Sequence, residues 1–126
     1  MIRTQGLSHI HLPVAELDRA ERFYRRVFGA ERRFSVGADL MFLRTPGNRD
    51  LIALHADAVG RSGGIDHFGF ELLPPTELDA AARIVEAAGG IVRERGTHRG
   101  PSHRDAAYAL VTDPDGYVIE LLANDP

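Results

Sequence analysis

The two halves of this chain repeat one another, so any fold it adopts must contain the same unit twice. Gly6-Leu7-Ser8-His9-Ile10-His11-Leu12 corresponds to Gly64-Ile65-Asp66-His67-Phe68-Gly69-Phe70, 58 residues further on. Glu16-Leu17-Asp18 corresponds to Glu77-Leu78-Asp79, and Gly29 to Gly90, both at 61, the Leu73-Pro74-Pro75 region absorbing the difference. Leu51-Ile52-Ala53-Leu54 corresponds to Val118-Ile119-Glu120-Leu121 at 67. Four correspondences in one order divide a single domain, 1–126, into module one (about 6–58), a linker (about 59–63) and module two (about 64–124).

Each module reads as strand, helix, then three strands. Residues 7–14 alternate, with Ile10, Leu12 and Val14 on one face and His9 and His11 on the other. Apolar positions Leu17, Ala20, Phe23, Tyr24 and Val27 recur at helical spacing over 15–28, and Gly29 stops that helix. Strands are expected around 31–36, 39–44 and 50–56. In the second half a helix opens at Thr76 or Glu77, runs to about Ala88 and ends at Gly89-Gly90. Strands follow around 91–95, 106–112 and 117–123. Pro46-Gly47-Asn48 and Asp113-Pro114-Asp115-Gly116 are turn signals before the last strand of each half. His98 to Asp105 reads as a polar loop.

Composition removes several chemistries. The chain has no cysteine, which excludes disulfides, thiolate metal sites and a cysteine nucleophile. All fifteen basic residues are arginine, so neither a Schiff-base lysine nor a phosphate-loop lysine exists. A net charge of −3 argues against a nucleic-acid or anionic-membrane surface. No apolar run approaches the roughly 18 residues of a membrane span, and the start lacks a signal peptide's apolar stretch. A cytoplasmic protein is expected. Six histidines are the most chemically informative residues left.

The ordered set of motifs carries a resemblance. His9 in His-Ile-His-Leu-Pro-Val, the Phe23-Tyr24…Phe28-Gly29 helix end, His67 in Gly-Ile-Asp-His-Phe-Gly-Phe, and Asp113-Pro114-Asp115-Gly116-Tyr117-Val118-Ile119-Glu120-Leu121 span nearly the whole chain. The chain resembles the vicinal oxygen chelate superfamily, the glyoxalase, bleomycin-resistance and extradiol-dioxygenase group. The resemblance implies an α+β fold: two tandem βαβββ modules forming a partly open, eight-stranded, barrel-like sheet around a metal cleft. In that group the positions of His9, His67 and Glu120 are metal ligands.

The residues agree with that implication. Strand alternation turns His9, His67 and Glu120 away from their apolar neighbours. Two imidazoles and a carboxylate suit Fe(II) or Mn(II), with Zn(II) or Ni(II) as alternatives, and leave positions open for a small-molecule substrate. The plainer alternative makes them polar wall residues.

One departure from the pattern is informative. The repeat equivalent of Glu120 is Ala53, a methyl where metal-dependent glyoxalases carry a glutamate that serves as ligand and base. That favours dioxygenase-like chemistry over a glyoxalase-type isomerase or lyase. A fosfomycin-type transferase and a metal-free drug-binding module are further alternatives. His55, two residues beyond Ala53, is a candidate base or replacement ligand. Tyr108 is a candidate proton-handling residue, with His98 or His103 as loop partners. His11 is open between substrate contact and cleft wall, and Arg44, Arg93 and Arg95 are open between contact with an anionic substrate and exposed edge positions. Open module edges predict a homodimer.

Overall fold

In a computed structural model the described residues are 1, 3, 9–57, 67–74, 76–100 and 103–124. The expected linker, 59–63, lies outside them, as do residues 6–8 and 64–66 of the repeated motif. The chain divides into two compact units, Met1–Gly60 and Arg61–Pro126.

The first unit contains β1 (Ile10–Val14), α1 (Leu17–Phe28), β2 (Glu31–Val36), β3 (Leu40–Arg44) and β4 (Ile52–Ala56). Its four strands form one mixed sheet in the order β1-β4-β3-β2, with β1 parallel to β4. The second unit repeats the arrangement with β5 (Phe68–Glu71), α2 (Leu78–Ala87), β6 (Ile91–Gly100), β7 (His103–Thr112) and β8 (Val118–Asn124), ordered β5-β8-β7-β6. Two βαβββ modules in an α+β chain are therefore present.

The repeat extends to register. Ile10 pairs with Ile52 and His11 with Ala53 in the first sheet; Phe68 pairs with Ile119 and Gly69 with Glu120 in the second. A one-residue slip would exchange the faces of every side chain, so burying one face fixes this register.

Each helix covers one face of its sheet. α1 buries Ala20, Phe23 and Tyr24 and packs over β3 and β4, whose Met41, Leu43, Ile52 and Leu54 are buried with Leu12 and Val14 of β1. α2 buries Ala81, Ala82 and Val85 and packs over β6, β7 and β8, with Ala109, Val111, Ile119 and Leu121 all at most 1% exposed. Each large aliphatic side chain so covered contributes roughly 1.5–3 kcal/mol. The faces without a helix carry the side chains available for chemistry.

Gly29 ends α1 with φ +66°, its N–H donating to the Arg25 carbonyl at 2.9 Å. Gly89-Gly90 ends α2 as expected, with Gly89 left-handed (φ +94°) and the Gly90 N–H returning to the Val85 carbonyl. A correction concerns 98–105, read from the sequence as a polar loop. Strand pairing extends to Gly100 on β6 and begins at His103 on β7, with His98 opposite Ala106, Gly100 opposite His103 and a register shift between His98 and Gly100; residues 101–102 lie outside the described residues. Backbone hydrogen bonds build the ladder, so a polar sequence does not end it. Among the described residues no helix is long and apolar enough to cross a membrane.

Candidate functional site

The helix-free face of the second sheet is built in rows. Glu94, Leu110, Glu120 and Gly69 line up across β6, β7, β8 and β5. The next row is Gly96, Tyr108, Leu122 and Glu71. His67 sits one residue before β5, on the same side by alternation. Its Nε2 lies 3.3 Å from Oε2 of Glu120, with 36% of the imidazole and 12% of the carboxylate side chain exposed.

Gly69 lets β5 and β8 approach closely next to this pair. A Cβ there would stand 3.2 Å from the Glu120 carbonyl oxygen and 3.4 Å from its Cβ. The parity expected from the sequence holds here, since Ile119 and Leu121 are buried on the helix side.

Tyr108 shares the face but turns toward the edge strand. Its hydroxyl donates to Oε2 of Glu94 at 3.2 Å, and its ring covers Gly96 directly opposite. Partial burial, followed by the charge and hydrogen bond of Glu94 and then the charge of Glu120, holds the phenol above its ordinary pKa. Tyr108 therefore stays a proton donor at neutral pH. Glu94 and the two strand glycines, 69 and 96, are site residues that the sequence reading did not single out. Glycine inside a strand was the available signal, marking a close approach.

The first sheet presents a different face. Its central row is Phe34, Phe42, Ala53 and His11; Val36, Leu40, His55 and Pro13 form the next. His11 and His55 meet edge to face, ring centroids 5.5 Å apart and planes at 78°. Phe34 and Phe42 stack at 4.5 Å, with Phe34 and Val36 still 48% and 58% exposed. Ala53 is fully buried, and His9 is exposed just before β1.

The structure thus brings His67 to Glu120, Tyr108 to Glu94 and His11 to His55. Among the described residues, no three histidine or carboxylate side chains are gathered into one cluster. The side chains of His98 and His103 lie outside the described residues. Arg95 pairs with Asp79 of α2 on the helix side.

Comparison with known proteins adds the decisive observation. The profile of the Glyoxalase/Bleomycin resistance protein/Dioxygenase superfamily matches residues 6–121. The chain belongs to this superfamily. A lactoylglutathione lyase of Haemophilus influenzae is 30% identical over 127 residues, covering 94% of this chain and 92% of that protein. The solved lactoylglutathione lyase of Agrobacterium tumefaciens is 25% identical, with a TM-score of 0.67 over 95% of this chain and 94% of that one. A fosfomycin resistance protein of Listeria monocytogenes, solved with Mn(II) and 1S,2S-dihydroxypropylphosphonic acid, shares the fold. Its TM-score is 0.75 and its identity 24%, covering 98% of this chain and 93% of that one.

Proposed function

We propose that this member of the superfamily is a divalent-metal enzyme acting on a small substrate with vicinal oxygens. The metal is held by His9, His67 and Glu120. The observation that carries the reading is the His67–Glu120 pair, an imidazole and a carboxylate 3.3 Å apart on a helix-free face. Those donor types at that separation fit one first-row divalent ion, Fe(II) or Mn(II) being favoured and Zn(II) or Ni(II) also suiting the set. His9 stands at the repeat-equivalent position of His67 in the first module. The solved Listeria relative with Mn(II) supports the same choice of group.

When bound, a divalent ion supplies charge to stabilise an oxyanion on a chelating substrate. The chain's own residues supply positioning and proton handling. Tyr108, kept protonated beside Glu94, donates a hydrogen bond or proton to a substrate oxygen. His55 is the imidazole available as base on the first module's face.

Dioxygenase-like chemistry is the reaction we favour, because Ala53 provides no carboxylate to shuttle a substrate proton. A glyoxalase-type isomerase is the second reading, supported by the lactoylglutathione lyase relative; it requires His55 to do that work. The deciding experiment loads anaerobically purified protein with Fe(II), Mn(II), Zn(II) or Ni(II). Oxygen uptake with a catechol panel is then compared with isomerisation of a glutathione hemithioacetal. Tight, near-stoichiometric metal that His67→Ala abolishes supports the proposal. Absence of metal uptake overturns it in favour of a ligand-binding module. We also propose a homodimer; a monomeric mass by light scattering at micromolar concentration would contradict it.

A further inference from the structure

We propose that Glu94 is the proton acceptor of this site, receiving through the Tyr108 hydroxyl the proton that a neutral substrate gives up on binding. The inference rests on the reading above and uses residues of the second unit alone. Leu110 of β7 lies opposite Glu94 of β6 on one side and Glu120 of β8 on the other. Tyr108, two residues before Leu110, is thus the diagonal neighbour of both carboxylates. Such neighbours stand roughly 7–8 Å apart, within reach of a long side chain. The phenol goes to Glu94: its hydroxyl donates to Oε2 at 3.2 Å, and its ring fills the space that a side chain at Gly96 would take.

The two carboxylates are therefore placed for different work. Glu120 is 12% exposed and stands 3.3 Å from the His67 imidazole. Glu94 is exposed, so a proton that reaches it passes on to water.

A phenol between a substrate hydroxyl and a carboxylate moves a proton without becoming charged. The substrate hydroxyl gives its proton to Oη of Tyr108 as the tyrosine's own proton crosses to Oε2 of Glu94. The substrate becomes an oxyanion, Tyr108 is neutral before and after, and Glu94 becomes a carboxylic acid. A free tyrosinate is never formed, in keeping with the burial and neighbouring carboxylates that disfavour it. The relay serves an acidic O–H and not a C–H bond, so it does not replace the base missing at Ala53. Glu71 shares the Tyr108 row, and a substrate that arrives already anionic meets three carboxylates on this face. The class selected is a molecule that arrives neutral and carries an acidic hydroxyl.

The test mixes the full chain, loaded with Zn(II), with catechol in dilute buffer and follows catechol ionisation by stopped-flow absorbance. In the unaltered protein the rate should fall as acid protonates Glu94. Glu94→Gln and Tyr108→Phe should each slow ionisation by on the order of 100-fold. The double variant should be no slower than either, because the two residues act as a unit. Glu94→Asp should keep part of the rate, and added acetate should restore the rate of Glu94→Gln. An unchanged rate in Glu94→Gln overturns the inference and leaves the proposed site standing. A slowed rate that acetate does not restore also overturns it, reducing Glu94 to a support for the ring. If the unaltered protein takes up no Zn(II), or ionises catechol no differently from His67→Ala, the reading of the site fails and the inference with it.

Discussion

Gly96 and Tyr108 face each other across the β6–β7 ladder, and the tyrosine ring lies where any side chain at 96 would be. A Cβ on Gly96 would come within 2.7 Å of the ring and of its hydroxyl oxygen. The glycine thereby sets the direction of the phenol, sending it across β6 to Glu94. Gly96→Ala should push the ring off this path and break the bond to Glu94, at a cost of about 1 kcal/mol because the ring has room to swing. Urea unfolding would measure that cost, and an unchanged tyrosine titration in the variant would contradict the mechanism.

The phenol titration is itself predictable. Partial burial first, then Glu94 and Glu120, raise the Tyr108 pKa, so the folded state favours the neutral phenol. Its contribution to stability is therefore complete below the unfolded value of about 10 and is lost as pH rises through the folded value. Glu94→Gln should bring the titration down toward the ordinary value. Difference absorbance against Tyr108→Phe reads this directly, and a midpoint indifferent to Glu94→Gln would refute it.

Asp113 anchors the turn that delivers β8 and hence Glu120. Its side chain is almost wholly buried, and Oδ1 accepts from the backbone N–H groups of Asp115 and Tyr117, both at 2.9 Å. Asp113→Ala leaves those donors without their acceptor and should destabilise the fold by about 1–3 kcal/mol. Asp113→Asn, which keeps one acceptor oxygen, should cost less. Equal losses in thermal or urea unfolding would argue against the hydrogen-bond account.

Leu54 and Leu121 are repeat equivalents at the centre of the two cores, exposed by 0% and 1%. Truncating either to alanine removes comparable buried surface and leaves a cavity under its helix. Each change should cost about 2–5 kcal/mol. A loss below about 1 kcal/mol at either position, measured by chemical denaturation, would mean that its core collapses around the gap.

Ala53→Glu should be destabilising, because the row above the methyl is occupied by His11 and Phe42. Combined with His11→Gly, it re-creates the arrangement of Gly69 and Glu120. The double variant should recover much of the loss, a coupling of about 0.5–3 kcal/mol in a mutant cycle. Additive losses would show that the two positions do not share one space.

The sequence carried the modular plan because its signals are local or repeated. The period of apolar residues marked both helices and the strands, turn residues marked the connections, and the repeated motifs tied His9 to His67 and Ala53 to Glu120. The pairing of His98 and Gly100 with Ala106 and His103 was not legible, since its ladder is made by backbone groups indifferent to side-chain polarity. Nor did the sequence separate Gly89 from Gly90 as the left-handed residue, which depends on where the last helical hydrogen bond closes.

The candidate site divides along the same line. Alternation turned His67 and Glu120 away from their apolar neighbours, since side chains in a strand point to opposite faces in turn. Pairing register decided the rest: that Gly69 lies against Glu120, that Gly96 turns Tyr108 to Glu94, and that His11 meets His55 over Ala53. A single strand cannot specify its neighbour's alignment. Only the folded sheet, held in register by the apolar face under each helix, could.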